Sequence, residues 1–183
     1  MPVTQLDPVA ALVLIDLQKG IVSRPTAHPA SEIVERCAAL ARAFRERSLP
    51  VILVNVAGQP AARTDAATSF SPPPDWTELV PELQPQPGDE LITKMQIGAF
   101  YGTALERILR RRAATQIFFG GIATSIGVES TVRTAYDHGF NVVTVVDAMT
   151  DLNEQSHQHS VERIFPRLSQ TATTADVLSL LQG

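Results

Sequence analysis

The chain has 183 residues, 44% of them hydrophobic and 19% charged, with a formal net charge of -4. That size and balance fit one globular domain, residues 1–183, with a sizeable core, and exclude an intrinsically disordered chain. With no basic stripe for nucleic acid, no signal-peptide pattern in MPVTQLDP and no apolar run long enough for a spanning helix, the expectation is a soluble, cytoplasmic protein without nucleic-acid or membrane partners.

Residues 9–15 (VAALVLI) form a continuous apolar run closed by Asp16, which predicts a strand buried on both faces, as in parallel sheets, with Asp16 at its carboxyl end. Residues 16–24 are polar, contain Gly20 and precede Pro25 and Pro29, so they predict a loop above that strand end. A helix over 32–47, capped by Ser31, follows from Ile33, Val34, Cys37, Leu40, Ala41 and Phe44 at helical spacing. Cys37, the single cysteine, lies on that apolar stripe; it reads as packing rather than as a nucleophile, and being alone it excludes an intramolecular disulfide. Residues 51–56 (VILVNV) predict a second buried strand, parallel to the first through a right-handed crossover.

Residues 58–88 carry Pro60, Pro72, Pro73, Pro74, Pro81, Pro85 and Pro87, too many for regular elements, so an irregular excursion with one helical turn around 76–79 is expected. Phe70 and Trp76 either line a pocket or subunit contact or pin this loop to the body, the second reading being preferred. A third strand over 90–93 stops at Lys94, and a helix follows over 104–112, with Arg110, Arg111 and Arg112 solvated at its end. The fourth strand, 116–119, runs into the turn GGIATSIGVEST at 120–131. There Gly127 opens a helix, at a cost of about 1 kcal/mol relative to alanine, which calls for close backbone approach or a special torsion.

Val128, Val132, Ala135 and Tyr136 make that helix's inner stripe, and Gly139 ends it. A fifth strand spans 141–146 and ends at Asp147. In the helix expected over 153–165, His157 and His159 point about 200 degrees apart, so a shared metal is excluded and both read as exposed. Residues 171–173 and 175–181 supply a last strand and helix. Six strands alternating with helices predict a three-layer, Rossmann-like α/β fold: a six-stranded, mostly parallel sheet flanked by helices, with ligands bound beyond the strands' carboxyl ends.

Three features fall at that edge: Asp16, Lys94 and the turn from Gly121 to Gly127. An acid, an opposite charge and a helix N-terminus offering N–H groups make a catalytic cluster. The chain resembles the isochorismatase-like hydrolases, or cysteine hydrolase superfamily, over nearly its whole length. The resemblance rests on Asp16-Leu17-Gln18, on Lys94-x-x-x-Gly98-Ala99-Phe100 with Thr103 and Leu105, on Gly121-Ile122-Ala123-Thr124-Ser125-Ile126-Gly127-Val128-Glu129-Ser130-Thr131, and on Asp147-Ala148.

The resemblance implies a triad of Asp, Lys and Cys, in which the thiol attacks a carbonyl, the aspartate relays its proton and the lysine stabilises charge. Asp16 and Lys94 match the first two positions, and Gly127 occupies the cysteine position. Members with glycine there hydrolyse a vinyl ether with the aspartate as general acid, although they carry an aromatic residue and a histidine where this chain has Ala123, Thr124 and Ser125. The resemblance further implies a cis peptide at Ile122-Ala123, and the expected substrate contacts are Gln18, Ile21, Trp76, Phe100, Ile122, Ala123, Thr124 and Ser125. It implies a small-molecule substrate, a homodimer or larger homo-oligomer, and no cofactor. The histidine and aspartate metal set of the nicotinamidase branch is missing after Gln18, so no metal is expected.

Three readings stand. The first is a thiol-independent hydrolase in which Asp16 is the acid or base and Lys94 holds its charge state and the substrate. The second is an amide or ester hydrolase whose nucleophile is water or the hydroxyl of Ser125 or Thr124, disfavoured because no histidine lies in that segment. The third is a catalytically silent small-molecule binder. Arg24 and Arg63 lie in loops near the expected mouth and either pair with a substrate carboxylate or are simply solvated.

Overall fold

In the computed structural model, residues 3–65 and 72–183 are described; Phe70 lies outside them. The chain runs β1 (Ala10–Ile15), α1 (Lys19–Val22), α2 (Ala30–Glu46), β2 (Val51–Val56), a 3-10 turn (Pro81–Leu83), β3 (Glu90–Lys94), α3 (Leu105–Arg111) and β4 (Gln116–Ile122). A π-helical turn (Thr124–Val128) leads into α4 (Glu129–Asp137), followed by β5 (Asn141–Thr150), α5 (Glu154–His159), a second π-helical turn (Ser160–Ile164), α6 (Phe165–Leu168), β6 (Gln170–Ala172) and α7 (Thr174–Gln182).

The six strands form one sheet in the order β3-β2-β1-β4-β5-β6, and every neighbouring pair is parallel. The continuous apolar runs have the burial they require. In β1, Ala10, Leu12 and Leu14 pack on the side of α2 and α7, while Ala11, Val13 and Ile15 pack on the side of α3, α4 and α6. Alternate residues thus feed two cores, one on each face of the sheet. The strand order reverses direction between β1 and β4, and this switch point opens a crevice at the carboxyl ends, where ligands of such sheets bind. The sheet closes tightly there: a Cβ on Gly121 (φ +122°) would lie 2.1 Å from the Ile15 carbonyl oxygen, so only glycine fits.

Several local expectations are corrected. The 16–24 stretch contains the short helix α1. No helical turn forms at 76–79; the chain makes a turn there, and the 3-10 turn comes at Pro81–Leu83, where a proline is tolerated at the first position. Helix α2 begins at Ala30 after Pro29, with no side-chain cap from Ser31. Strand β5 continues to Thr150 through a register shift against β4, because Asp147 leaves the ladder and accepts hydrogen bonds from the Thr174 N–H and hydroxyl at 2.7 and 3.0 Å. Tyr136 is half exposed, and the inner stripe of α4 is Thr131, Val132 and Ala135. The helix expected over 153–165 is interrupted by the second π-helical turn. Among the described residues no helix is long and apolar enough to cross a membrane.

Candidate active site

Asp16 follows β1 in the left-handed backbone region (φ +54°), and its N–H donates to the Val54 carbonyl at 2.8 Å. Lys94 ends β3, two strands and about 10 Å away. Its long side chain crosses the end of β2, and Nζ donates to Asp16 Oδ2 at 2.8 Å. Nζ also donates to the carbonyls of Gln96 at 3.2 Å and Ile97 at 2.9 Å, which uses all of the ammonium's donors. Both charges are out of solvent, with Asp16 5% and Lys94 2% exposed.

The other oxygen, Asp16 Oδ1, is buried without a hydrogen-bond partner. A buried acceptor that the protein leaves without a partner calls for an explanation, a water, an ion or a catalytic role being the usual ones. Burial pushes the Asp16 carboxyl up to about 6, against the opposing pull of the Lys94 charge and hydrogen bond. Across from it, a Cβ added to Gly127 would sit 3.3 Å from Asp16 Oδ2 and 3.1 Å from Ile15 Cγ2. These residues border a cavity of about 290 Å³ at the switch point.

Of the residues expected to bind substrate, Ile21, Trp76, Ile122 and Ala123 line this cavity together with Asp16, Lys94 and Gly127. The peptide between Ile122 and Ala123 is cis. Trp76 also does the pinning work: its carbonyl accepts from the Gly20 N–H at 3.0 Å and from Gln18 Nε2 at 2.9 Å.

Four others do not line it. Gln18 is fully buried as a clamp, with Nε2 donating to the Val56 carbonyl at 3.0 Å and Oε1 accepting from the Val56 N–H at 2.7 Å. Phe100 turns into the core beside His138 and Phe140. Thr124 is buried, its Oγ1 2.9 Å from His157 Nδ1. The Ser125 N–H donates to Asp151 Oδ2 at 2.7 Å, which anchors the turn from behind.

His157 is therefore buried rather than exposed, and burial lowers its pKa. His159 is exposed. Arg24 lines the cavity and Arg63 does not. Sequence reasoning missed Gln96, Ile97, Ile126 and Leu152, which also line the cavity. Ile97, Ile126 and Leu152 are apolar yet 51%, 47% and 39% exposed, a pattern visible only once burial is known.

Cys37 has no access to the cavity. It is fully buried in the core on the α2 side, donates to the Ala148 carbonyl at 3.3 Å, and burial pushes its thiol well above the ordinary range. Among the described residues, no group of three or more His, Cys, Asp or Glu side chains is arranged to hold a metal ion.

The profile of the Isochorismatase domain family matches residues 10–176 of this chain. The chain belongs to the isochorismatase family. The isochorismatase family protein YwoC of Bacillus subtilis is 40% identical over 176 residues, covering 92% of each chain. An isochorismatase family protein from Burkholderia thailandensis of known structure is 44% identical, with a TM-score of 0.88 over 98% of each chain. The ureidoacrylate amidohydrolase of Variovorax paradoxus is 34% identical over 109 residues, which is 57% of this chain and 43% of that enzyme. The chain is an isochorismatase-family hydrolase with an α/β fold.

Proposed function

We propose that this hydrolase acts on a small organic molecule without a thiol nucleophile, with Asp16 as general acid. The observation that carries this reading is the division of labour between the two Asp16 oxygens. Oδ2 accepts from Lys94, so the proton of the neutral carboxyl resides on Oδ1, which has no protein partner. The carboxyl's raised pKa of about 6 keeps a useful fraction protonated near neutrality. Gly127 stands where thiol-bearing relatives keep the nucleophile, and no other thiol reaches the cavity.

These groups suit vinyl-ether hydrolysis. Asp16 Oδ1 gives its proton to the terminal carbon of the double bond, and the ether carbon becomes an oxocarbenium ion. Water adds to that carbon and returns a proton to the Asp16 carboxylate. The resulting hemiketal collapses to a carbonyl compound and an alcohol. Lys94 stabilises the carboxylate left after proton transfer.

A second reading is favoured by the amidohydrolase relative: Asp16 as base, activating water toward an amide or ester. A hydroxyl nucleophile has less support. The Thr124 hydroxyl does have a histidine beside it, but Thr124 is buried and neither it nor Ser125 lines the cavity.

The pH dependence of kcat/KM separates acid from base. With Asp16 as acid, the protonated form is active, so the rate falls about ten-fold per pH unit once the pH exceeds the carboxyl's value of about 6 by a unit. With Asp16 as base, the rate rises through the same value and levels off. A screen of vinyl ethers, amides and esters supplies the substrate; a rising profile removes the acid role, and absence of turnover across the screen favours the silent binder.

Gly127→Cys tests the geometry of the vacant position. The new thiol arises next to Asp16 Oδ2, after a shift of a few tenths of an ångström by Ile15. Native Gly127→Cys protein is expected to take up one iodoacetamide adduct by mass spectrometry, while the parent, whose only cysteine is buried Cys37, takes up none. A labelled parent, or an unlabelled variant, rejects this placement.

A further inference from the structure

Among the described residues, the charged ones lining the cavity are Asp16, Arg24 and Lys94. Asp16 and Lys94 are bonded to each other, and Lys94 has no N–H left to offer, because Asp16 and the carbonyls of Gln96 and Ile97 accept its three donors. The expectation that Lys94 also holds the substrate fails on this donor count. An anionic group on a ligand must be met by another residue.

Arg24 stands just beyond α1, its N–H donating to the Ile21 carbonyl at 3.1 Å. It is exposed, and among the described residues its guanidinium makes no hydrogen bond or ion pair. The remaining lining side chains are uncharged.

We infer that Arg24 is the specificity-determining residue of this cavity and selects substrates that carry a carboxylate, gripped by the guanidinium at the rim while the reacting atoms lie at Asp16. The inference rests on the reading of this cavity as the catalytic one. The planar guanidinium presents paired donors that match the two oxygens of a carboxylate, and such charge-assisted pairs are about twice as strong as neutral hydrogen bonds. Because Arg24 is exposed, its donors stay available until a ligand arrives, with no buried charge to compensate beforehand. A phosphate monoester, with up to two charges, asks for more cationic partners than this rim supplies. Arg63, the other arginine expected at the mouth, does not line the cavity and cannot share the work.

The only tryptophan, Trp76, lines the cavity, so its fluorescence reports occupancy without any turnover. Benzoate, benzamide and phenyl phosphate share one ring, and a cavity of roughly 150 Å³ is enough to take up benzene, less than the space present here. Benzoate is expected to change the fluorescence saturably, benzamide to bind at least about ten-fold more weakly, and phenyl phosphate to bind no more tightly than benzoate.

Arg24→Gln is expected to raise the benzoate Kd at least about ten-fold and to erase the preference over benzamide. Arg24→Lys falls between, because an ammonium keeps the charge but not the fork. Equal binding of benzoate and benzamide by the parent, tighter binding of phenyl phosphate, or an unchanged benzoate Kd in Arg24→Gln overturns the inference. Failure of the Asp16 chemistry looks different: it appears as turnover in Asp16→Asn with the Arg24-dependent binding intact.

Discussion

Asp16→Asn is expected to lower kcat by about a thousand-fold, within the range measured for removing a positioned general acid, while the cavity still binds its ligands. Asparagine has nearly the shape of aspartate, and its carbonyl oxygen can still accept from Lys94, so the local packing survives. What it lacks is an acidic proton on the atom that occupies the Oδ1 position, the buried oxygen left without a protein partner. The effect should therefore fall on kcat with KM little changed, the signature of an interaction made only in the transition state. The descending limb of the pH profile should vanish with it, since the group with the raised value of about 6 is gone. Turnover by Asp16→Asn at the parent's rate would remove the aspartate from the chemistry altogether.

Lys94→Met has the second large effect, and it reaches both stability and chemistry. Methionine fills much of the same volume, but the substitution strips the donor from Asp16 Oδ2 and from the Gln96 and Ile97 carbonyls at a position only 2% exposed. Removing one partner of a buried pair costs up to about 3 to 5 kcal/mol when the other stays charged, and less here because the Asp16 carboxyl can take up a proton. Urea denaturation at pH 7 measures that loss.

The same substitution moves the pH profile. The Lys94 charge and hydrogen bond both lower the Asp16 value, while burial raises it. Without the lysine only the upward push remains, so the carboxyl stays protonated to higher pH and the descending limb shifts upward. In the double variant Asp16→Asn, Lys94→Met the isolated buried carboxyl is absent, so its loss of stability should be smaller than the sum of the two single losses. Additive losses together with an unmoved limb would mean that Lys94 does not govern Asp16.

The apolar runs at β1, β2, β4 and β5 could be read directly, because strands covered on both faces have no polar alternation to obscure them. Asp16 and Lys94 stood out for the same reason, each a charge closing a strand. Elements shaped by long-range partners were harder. The course of β5 around Asp147 involves a partner distant in the chain, Thr174. In the proline-rich 58–88 stretch, composition excluded regular elements, but the tie to the body comes from contacts of Trp76 and Leu79 with Gln18 and Gly20.

By itself the sequence determined most of the strand and helix pattern, and it pointed to one sheet edge and to Asp16, Lys94 and Gly127, which line a single cavity there. Tertiary structure alone decided what those residues do to one another. Asp16 and Lys94 are 78 positions apart, and only the strand order puts their charges 2.8 Å from each other and leaves one carboxyl oxygen open. It also turned Gln18, Phe100 and Thr124 away from the cavity, buried His157 against Thr124, and left Arg24 at the rim while Arg63 fell outside. Periodicity and composition report which side chains prefer to leave water, a property of each segment. Hydrogen-bond partners and desolvation depend on which segments meet, and that is settled only when the sheet closes.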